Sequence, residues 1–290
     1  MNVIRAKTAG FCMGVSLALQ KLDTALDEAT TGIGKSNDPR GRICTLGPII
    51  HNPQVLAFYE AKGVACVRDA AELLPDDRVI IRAHGIPRQE EERVRASGAR
   101  VVDATCPKVK KAQLAIARAT RAGATLLLFG EADHPEVRGL VSYAHGPAHV
   151  FGSPEELAEL RLDPGHTHVL ASQTTQDRET FTALEAALRA RFPGLTVLST
   201  ICDATRERQE EARSIASSVD VMVIVGGRQS GNTRRLADVA ALSGIDTFHV
   251  ESADELDAKR FAQKTRAGLT AGASTPKSLI DAAENWLTSL

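Results

Sequence analysis

Short apolar runs alternate along this chain with longer stretches in which apolar residues recur every three or four positions. The short runs read as strands buried on both faces, and the periodic stretches read as amphipathic helices. Their order repeats. Helical patterns at 15–30, 109–120 and 206–218 lead to strand patterns at 43–46, 125–129 and 219–225, then to Gly47, Gly130 and Gly226, and four positions later to His51, His134 and Ser230. Each set continues with a second helix, a weaker strand, and a strand whose carboxyl end delivers His84, Thr174 with Thr175, or Ser274. This predicts an α/β fold of three related modules with small, mostly parallel sheets, in which ligands bind beyond the carboxyl ends of the strands. The modules are expected at 12–105, 106–200 and 201–290, with residues 1–11 either opening the first or completing the third. A cysteine follows each candidate fourth strand, at 99–103, 195–199 and 2–6. Residues 32–41 read as an inserted polar loop, because cysteine and glycine are 35 residues apart in the first module and 24 in the other two.

The cysteines carry the strongest chemical signal. Cys12, Cys106 and Cys202 stand at intervals of 94 and 96 residues, each between a strand pattern and a helix start, and Pro107 occupies a position that a first helical turn tolerates. Unpaired N–H groups and the positive end of the helix dipole favour a thiolate at such a place. Three thiolates from remote segments suit an iron–sulfur cluster, which ordinarily takes four, and the shortfall leaves one iron open to a substrate. A pseudo-threefold axis would gather the three cysteines, His51, His134, Ser230, His84, Thr174 and Ser274 around one centre. Cys44 and Cys66 lie inside strand patterns and read as small buried hydrophobes.

Charge narrows the partners. With 35 basic and 36 acidic residues the net charge is −1, and no basic run forms a stripe, which speaks against nucleic acid and anionic membranes. No apolar run approaches the ~20 residues that span a bilayer, and the first residues lack a secretory apolar segment. A cytoplasmic protein with a small-molecule substrate is expected. Five cysteines at long spacing point to metal or catalysis over disulfides.

A set of motifs then appears in order: Gly10-Phe-Cys12-Met-Gly-Val, Pro48-Ile-Ile-His51-Asn, Ala83-His84-Gly, Asp103-Ala-Thr-Cys106-Pro, His134-Pro-Glu136-Val, Gln173-Thr-Thr, Cys202-Asp-Ala-Thr, Ser230-Gly-Asn232 and Thr270-Ala-Gly-Ala-Ser274-Thr-Pro. The chain resembles the LytB family, the 4-hydroxy-3-methylbut-2-enyl diphosphate reductases, from Gly10 to Pro276. The resemblance implies a trefoil of three modules around a central [4Fe–4S] cluster with Cys12, Cys106 and Cys202 as ligands and one open iron. It also implies the last step of the non-mevalonate isoprenoid pathway: the allylic hydroxyl binds that iron, two electrons and two protons enter, water leaves, and isopentenyl and dimethylallyl diphosphate form. Ferredoxin or flavodoxin would supply the electrons. By the same resemblance, His51, His84, His134, Thr174, Ser230, Gly231, Asn232 and Ser274 contact the substrate, and Glu136 donates a proton with Thr174 as its partner.

Taken alone, several of these residues read more plainly. Glu136 reads as a solvated first-turn glutamate, and Ser230 and Asn232 as helix caps. Gly231 stands where many family members carry serine, and Asp203, where Asn or an aromatic is common, reads as a cap. His145, His149, His166, His168 and His249 fall outside the motifs. Two other readings use the same cysteines: a different three-module, open-iron enzyme of the quinolinate synthase type, and a zinc module with three cysteines and one histidine. The ordered histidines and Ser230-Gly-Asn232 weigh against the first, and the lack of Cys-x-x-Cys pairs against the second.

Overall fold

The computed structural model describes residues 1–31 and 41–290, so the expected polar insertion lies, apart from Gly41, outside the described residues. Twelve strands among them form three four-stranded parallel sheets. The first contains β2 (Ile43–Leu46), β3 (Ala65–Val67), β4 (Arg78–Ile81) and β5 (Arg100–Asp103) in the order β3-β2-β4-β5. The second contains β6 (Thr125–Phe129), β7 (Ala148–Phe151), β8 (His168–Ser172) and β9 (Thr196–Val197) in the order β7-β6-β8-β9. In the third, β1 (Asn2–Arg5) joins β10 (Val221–Val225), β11 (Asp246–Val250) and β12 (Arg266–Ala271) in the order β11-β10-β12-β1.

The three orders are one order. Each sheet runs second, first, third, fourth strand if β1 is counted as the last strand of the third set. Pairing of Asn2 to Arg5 with Arg266 to Leu269 thus gives the N-terminal strand to the third sheet, the second of the two places open to it. Each cysteine of interest then follows a fourth strand.

The sheets are built from continuous apolar runs because helices cover both faces of their central strands. In the second sheet, Leu127, Phe129 and Leu170 pack against Phe181, Leu184 and Leu188 of α7 (Arg178–Arg191). The alternate residues Leu126, Leu128, Val169 and Ala171 face α4 (Pro107–Ala119) and α5 (Pro135–Val141). The third sheet repeats this: Val221, Val223 and Val225 meet α10 (Lys277–Thr288), while Met222 and Ile224 meet α8 (Asp203–Ala216) and α9 (Gly231–Ala241). Period-two alternation sends each run's side chains to two cores.

The chain gathers into two compact units, one of Met1–Val15, Ile50–Ala57 and Cys202–Leu290, the other of Ser16–Ile49 and Phe58–Ile201. The first unit owns the third sheet, and the second owns the other two. No helix among the described residues is long and apolar enough to cross a membrane.

Candidate active site

In the larger unit, the carboxyl ends of β6 and β8 bring the His134-Pro-Glu136 and Gln173-Thr-Thr motifs together. Gln173 N donates to Phe129 O at 2.8 Å and Gln173 Oε1 accepts from Glu131 N at 3.2 Å, tying the two strand ends. A Cβ on Gly130 would lie 2.8 Å from Val137 and 3.1 Å from the Gln173 side chain, so only glycine admits this approach. Pro135 then opens α5 with His134 as its N-cap: His134 Nδ1 accepts from Glu136 N at 3.1 Å. An accepting Nδ1 carries no proton, which leaves the neutral ring's N–H on Nε2.

Glu136 is 2% exposed, against the solvated glutamate that its first-turn position suggests. Its Oε1 accepts from Thr174 N at 2.6 Å and its Oε2 from Thr174 Oγ1 at 3.1 Å. No cation pairs with it among the described residues. Burial pushes its pKa up to about 7 in spite of the two Thr174 hydrogen bonds, which act in the opposite direction.

His84 follows β4, and Cys106 follows β5. Cys106 N donates to Ala83 O at 2.9 Å, so these two neighbours are locked in register. The rings of His84 and His134 meet edge-on at 5.3 Å between centroids. Thr175 is the half-buried neighbour of Thr174. Cys106 is the N-cap residue of α4 but makes no side-chain cap hydrogen bond.

The smaller unit carries the remaining predicted residues at equivalent strand ends. Cys12 N donates to Ala273 O at 3.2 Å, joining the ends of β1 and β12 as Cys106 joins those of β5 and β4. Cys12 Sγ accepts from Val15 N at 3.5 Å, and Cys202 is the N-cap residue of α8 with no side-chain cap hydrogen bond. Asp203 is the first helical residue, not the cap expected of it. Ser230 is the N-cap of α9, its Oγ accepting from Thr233 N at 3.3 Å. Asn232, in the first turn, is 6% exposed and its buried Nδ2 has no partner. Ser274 Oγ donates to His51 O at 3.1 Å, which fixes the His51 segment against the end of β12. Gly226 has φ +149°, and a Cβ there would lie 2.6 Å from Thr275 Oγ1 and 2.9 Å from Thr233 Oγ1. Glycine is therefore required where the chain leaves β10.

Two minor cysteines part company. Cys44 is fully buried, as expected, and burial pushes its thiol up to about 12. Cys66 is exposed, which corrects the expectation of a packed residue: it sits in the three-residue edge strand β3, whose middle side chain no helix covers. The Glu/Arg-rich run after Cys202, within the expected amphipathic helix, hides Arg208, 5% exposed.

Comparison with known proteins follows the same lines. The family model described as LytB protein matches residues 3–288. The chain is 74% identical over 290 residues to the 4-hydroxy-3-methylbut-2-enyl diphosphate reductase of Desulfovibrio desulfuricans, with all of both chains covered. It is 59% identical over 291 residues to the reductase of that name from Nitratidesulfovibrio vulgaris strain Miyazaki F, again with both covered completely. A solved (E)-4-hydroxy-3-methyl-but-2-enyl diphosphate reductase, the terminal enzyme of the non-mevalonate pathway, is 38% identical with a TM-score of 0.69, over 100% of this chain and 99% of that one. The Plasmodium falciparum E-1-hydroxy-2-methyl-but-2-enyl-4-diphosphate reductase structure, 24% identical, shares the fold at a TM-score of 0.91 over 99% of this chain and 88% of its own.

Proposed function

The chain belongs to the LytB family and is an oxidoreductase of the 4-hydroxy-3-methylbut-2-enyl diphosphate reductase type, and we propose that Glu136 supplies the proton that turns the leaving hydroxyl into water. The overall change is a reductive dehydroxylation. The allylic C–O bond of (E)-4-hydroxy-3-methylbut-2-enyl diphosphate breaks, two electrons and two protons enter, and each turnover releases one water and one molecule of either isopentenyl or dimethylallyl diphosphate. The relatives give no support to a quinolinate synthase-like substrate.

The donor set fits a [4Fe–4S] cluster with Cys12, Cys106 and Cys202 as ligands. None of the three is in a disulfide, and all three are partly exposed at helix starts. When bound, the cluster supplies an open iron as a Lewis acid toward the hydroxyl oxygen and the two electrons, delivered one at a time by a ferredoxin or flavodoxin.

The protein's own groups bind and protonate. A carboxyl with its pKa near 7 holds a proton at neutral pH and can still release it, which is what a general acid needs. Thr174 keeps hold of that carboxyl in either protonation state, because a hydroxyl both donates and accepts. His134, with Nδ1 engaged by Glu136 N, offers Nε2–H to the substrate, and His51 and His84 are assigned the same donor role. The diphosphate falls to the third module: Asn232 Nδ2 is a buried donor without a partner, Ser230 keeps its own O–H free while accepting from Thr233 N, and the Gly231 amide opens α9. Ser274 adds a hydroxyl by exchanging its bond to His51 O.

The observation that carries this reading is a buried glutamate held by threonine and no cation. Its test is anaerobic turnover of the hydroxylated diphosphate with an artificial electron donor, joined to iron and sulfide analysis. Cys12→Ser, Cys106→Ser and Cys202→Ser should each lose the cluster, whereas Cys44→Ser and Cys66→Ser should keep it. Full iron content in any of the first three would remove that cysteine from the ligand set.

A further inference from the structure

Helix α8 starts at Cys202 and grips the segment that leads to Cys12. Glu211 accepts from Lys7 N at 2.8 Å, Thr8 N at 2.9 Å and Thr8 Oγ1 at 2.6 Å. One turn earlier, Arg208 Nη2 donates to Gly10 O at 2.8 Å and Nη1 to Ala204 O at 3.0 Å. Gly10 is two residues from Cys12, and Ala204 two from Cys202. A single side chain thus spans the two cysteine segments of this unit.

The charge on that side chain is out of place by ordinary rules. Arg208 is 5% exposed, its Nε has no partner, and no carboxylate pairs with it among the described residues. A guanidinium withdrawn from water without a counter-ion is costly, and two carbonyl acceptors ask only for neutral donors. Burial accordingly pushes its pKa down, and the influences that hold it up are led by Cys12 and then Cys202, ahead of Glu207 and Glu211. The repeat sharpens this contrast. Six residues after Cys12 and Cys106 stand Ala18 and Ala112, both buried, whereas six after Cys202 stands Arg208.

We infer that Arg208 is a positioning residue of the cluster site: it fixes the Gly10–Cys12 turn against the start of α8 and supplies the positive charge that offsets the Cys12 and Cys202 thiolates. The inference rests on the cluster assignment above. Reduction adds negative charge, so a fixed cation at two of the three ligands favours the reduced form and raises the midpoint potential. The third ligand, Cys106, starts a helix that has only alanine at the matching position.

The test is a redox titration of the reconstituted protein with Arg208→Gln and Arg208→Lys beside the wild type. Arg208→Gln keeps a donor for a carbonyl and drops the charge; it should shift the reduction equilibrium about tenfold toward the oxidised form, which is about 59 mV for one electron. Arg208→Lys should restore most of that shift. If Arg208→Gln is folded but cannot hold iron, retention of iron by Arg208→Lys carries the same conclusion. An unchanged midpoint in Arg208→Gln with full iron, equal loss of iron in both variants, or failure of both to fold would overturn the inference. A wild-type protein that takes up no iron overturns the cluster assignment instead, and is recognised before any variant is made.

Discussion

Asp77 and Glu136 are carboxylates of the same compact unit, 1% and 2% exposed, and burial acts on both in the same direction, yet they end far apart. Asp77 faces Arg42, whose Nε and Nη2 reach it at 3.1 and 2.7 Å, and it also accepts from Leu74 N. The guanidinium holds it below the usual carboxylate range. Among the described residues the Glu136 carboxylate accepts hydrogen bonds from Thr174 alone, and its pKa rises to about 7. Burial alone therefore does not decide what a carboxyl does. The partner decides: a cation makes it a structural anchor, and a hydroxyl with an amide leaves it an acid able to give up a proton near neutrality.

Exchanging each carboxyl for its amide tests this difference most strongly in turnover. Glu136→Gln should lower kcat by on the order of 10²-fold or more with iron content unchanged, the usual scale of general acid catalysis. Asp77→Asn should leave kcat of the folded protein as it was. Equal losses in the two variants would erase the distinction.

Stability against pH should separate the two by sign. The folded-state pKa of Glu136 lies above its ordinary value of 4.5, so its carboxyl costs little below that value and an increasing amount as pH climbs to about 7. Against Glu136→Gln, the wild type should therefore lose on the order of 3 kcal/mol across that window. Asp77 is depressed, so its contribution is present above 3.8 and is lost as pH falls through the folded-state value. The wild type should exceed Asp77→Asn by about 1–2 kcal/mol at neutral pH, a modest figure because Arg42 is half exposed, and this margin should close in acid. Chemical denaturation at several pH values reads both slopes. Slopes of the same sign would contradict the account.

The finest distinction lies in the Thr174 hydroxyl. It lowers the Glu136 pKa, so Thr174→Val should move the alkaline limb of the kcat profile, where Glu136 loses its proton, to higher pH, and Thr174→Ser should return it. A pH profile that Thr174→Val leaves in place would show that the hydroxyl does not act on the carboxyl.

Much of this architecture was legible because it follows from periodicity. Central strands such as β6 and β10 are buried throughout and read as unbroken apolar runs, and the helices after Cys12, Cys106 and Cys202 begin within a residue of those cysteines. The weaker strands β3, β7 and β11 are all edge strands with partly exposed residues, and a half-covered strand leaves a blurred pattern. The place of β1 was open because pairing with β12, some 264 residues away, leaves no local mark. Glu136 shows the limit most clearly: its first-turn position is local, but its carboxylate is held by Thr174, 38 residues on, at a strand end where Gly130 admits Val137 and Gln173. Arg208 had a visible signal, a charge where the other two modules carry alanine, but its Glu/Arg-rich surroundings masked it.

Direct titration of the Glu136 carboxyl tests the central claim. The infrared stretch of a protonated carboxyl, assigned by its absence in Glu136→Gln, should disappear with a midpoint near pH 7 in the wild type. A midpoint at the ordinary glutamate value of 4.5 would mean that Glu136 is ionised at neutral pH and holds no proton to give.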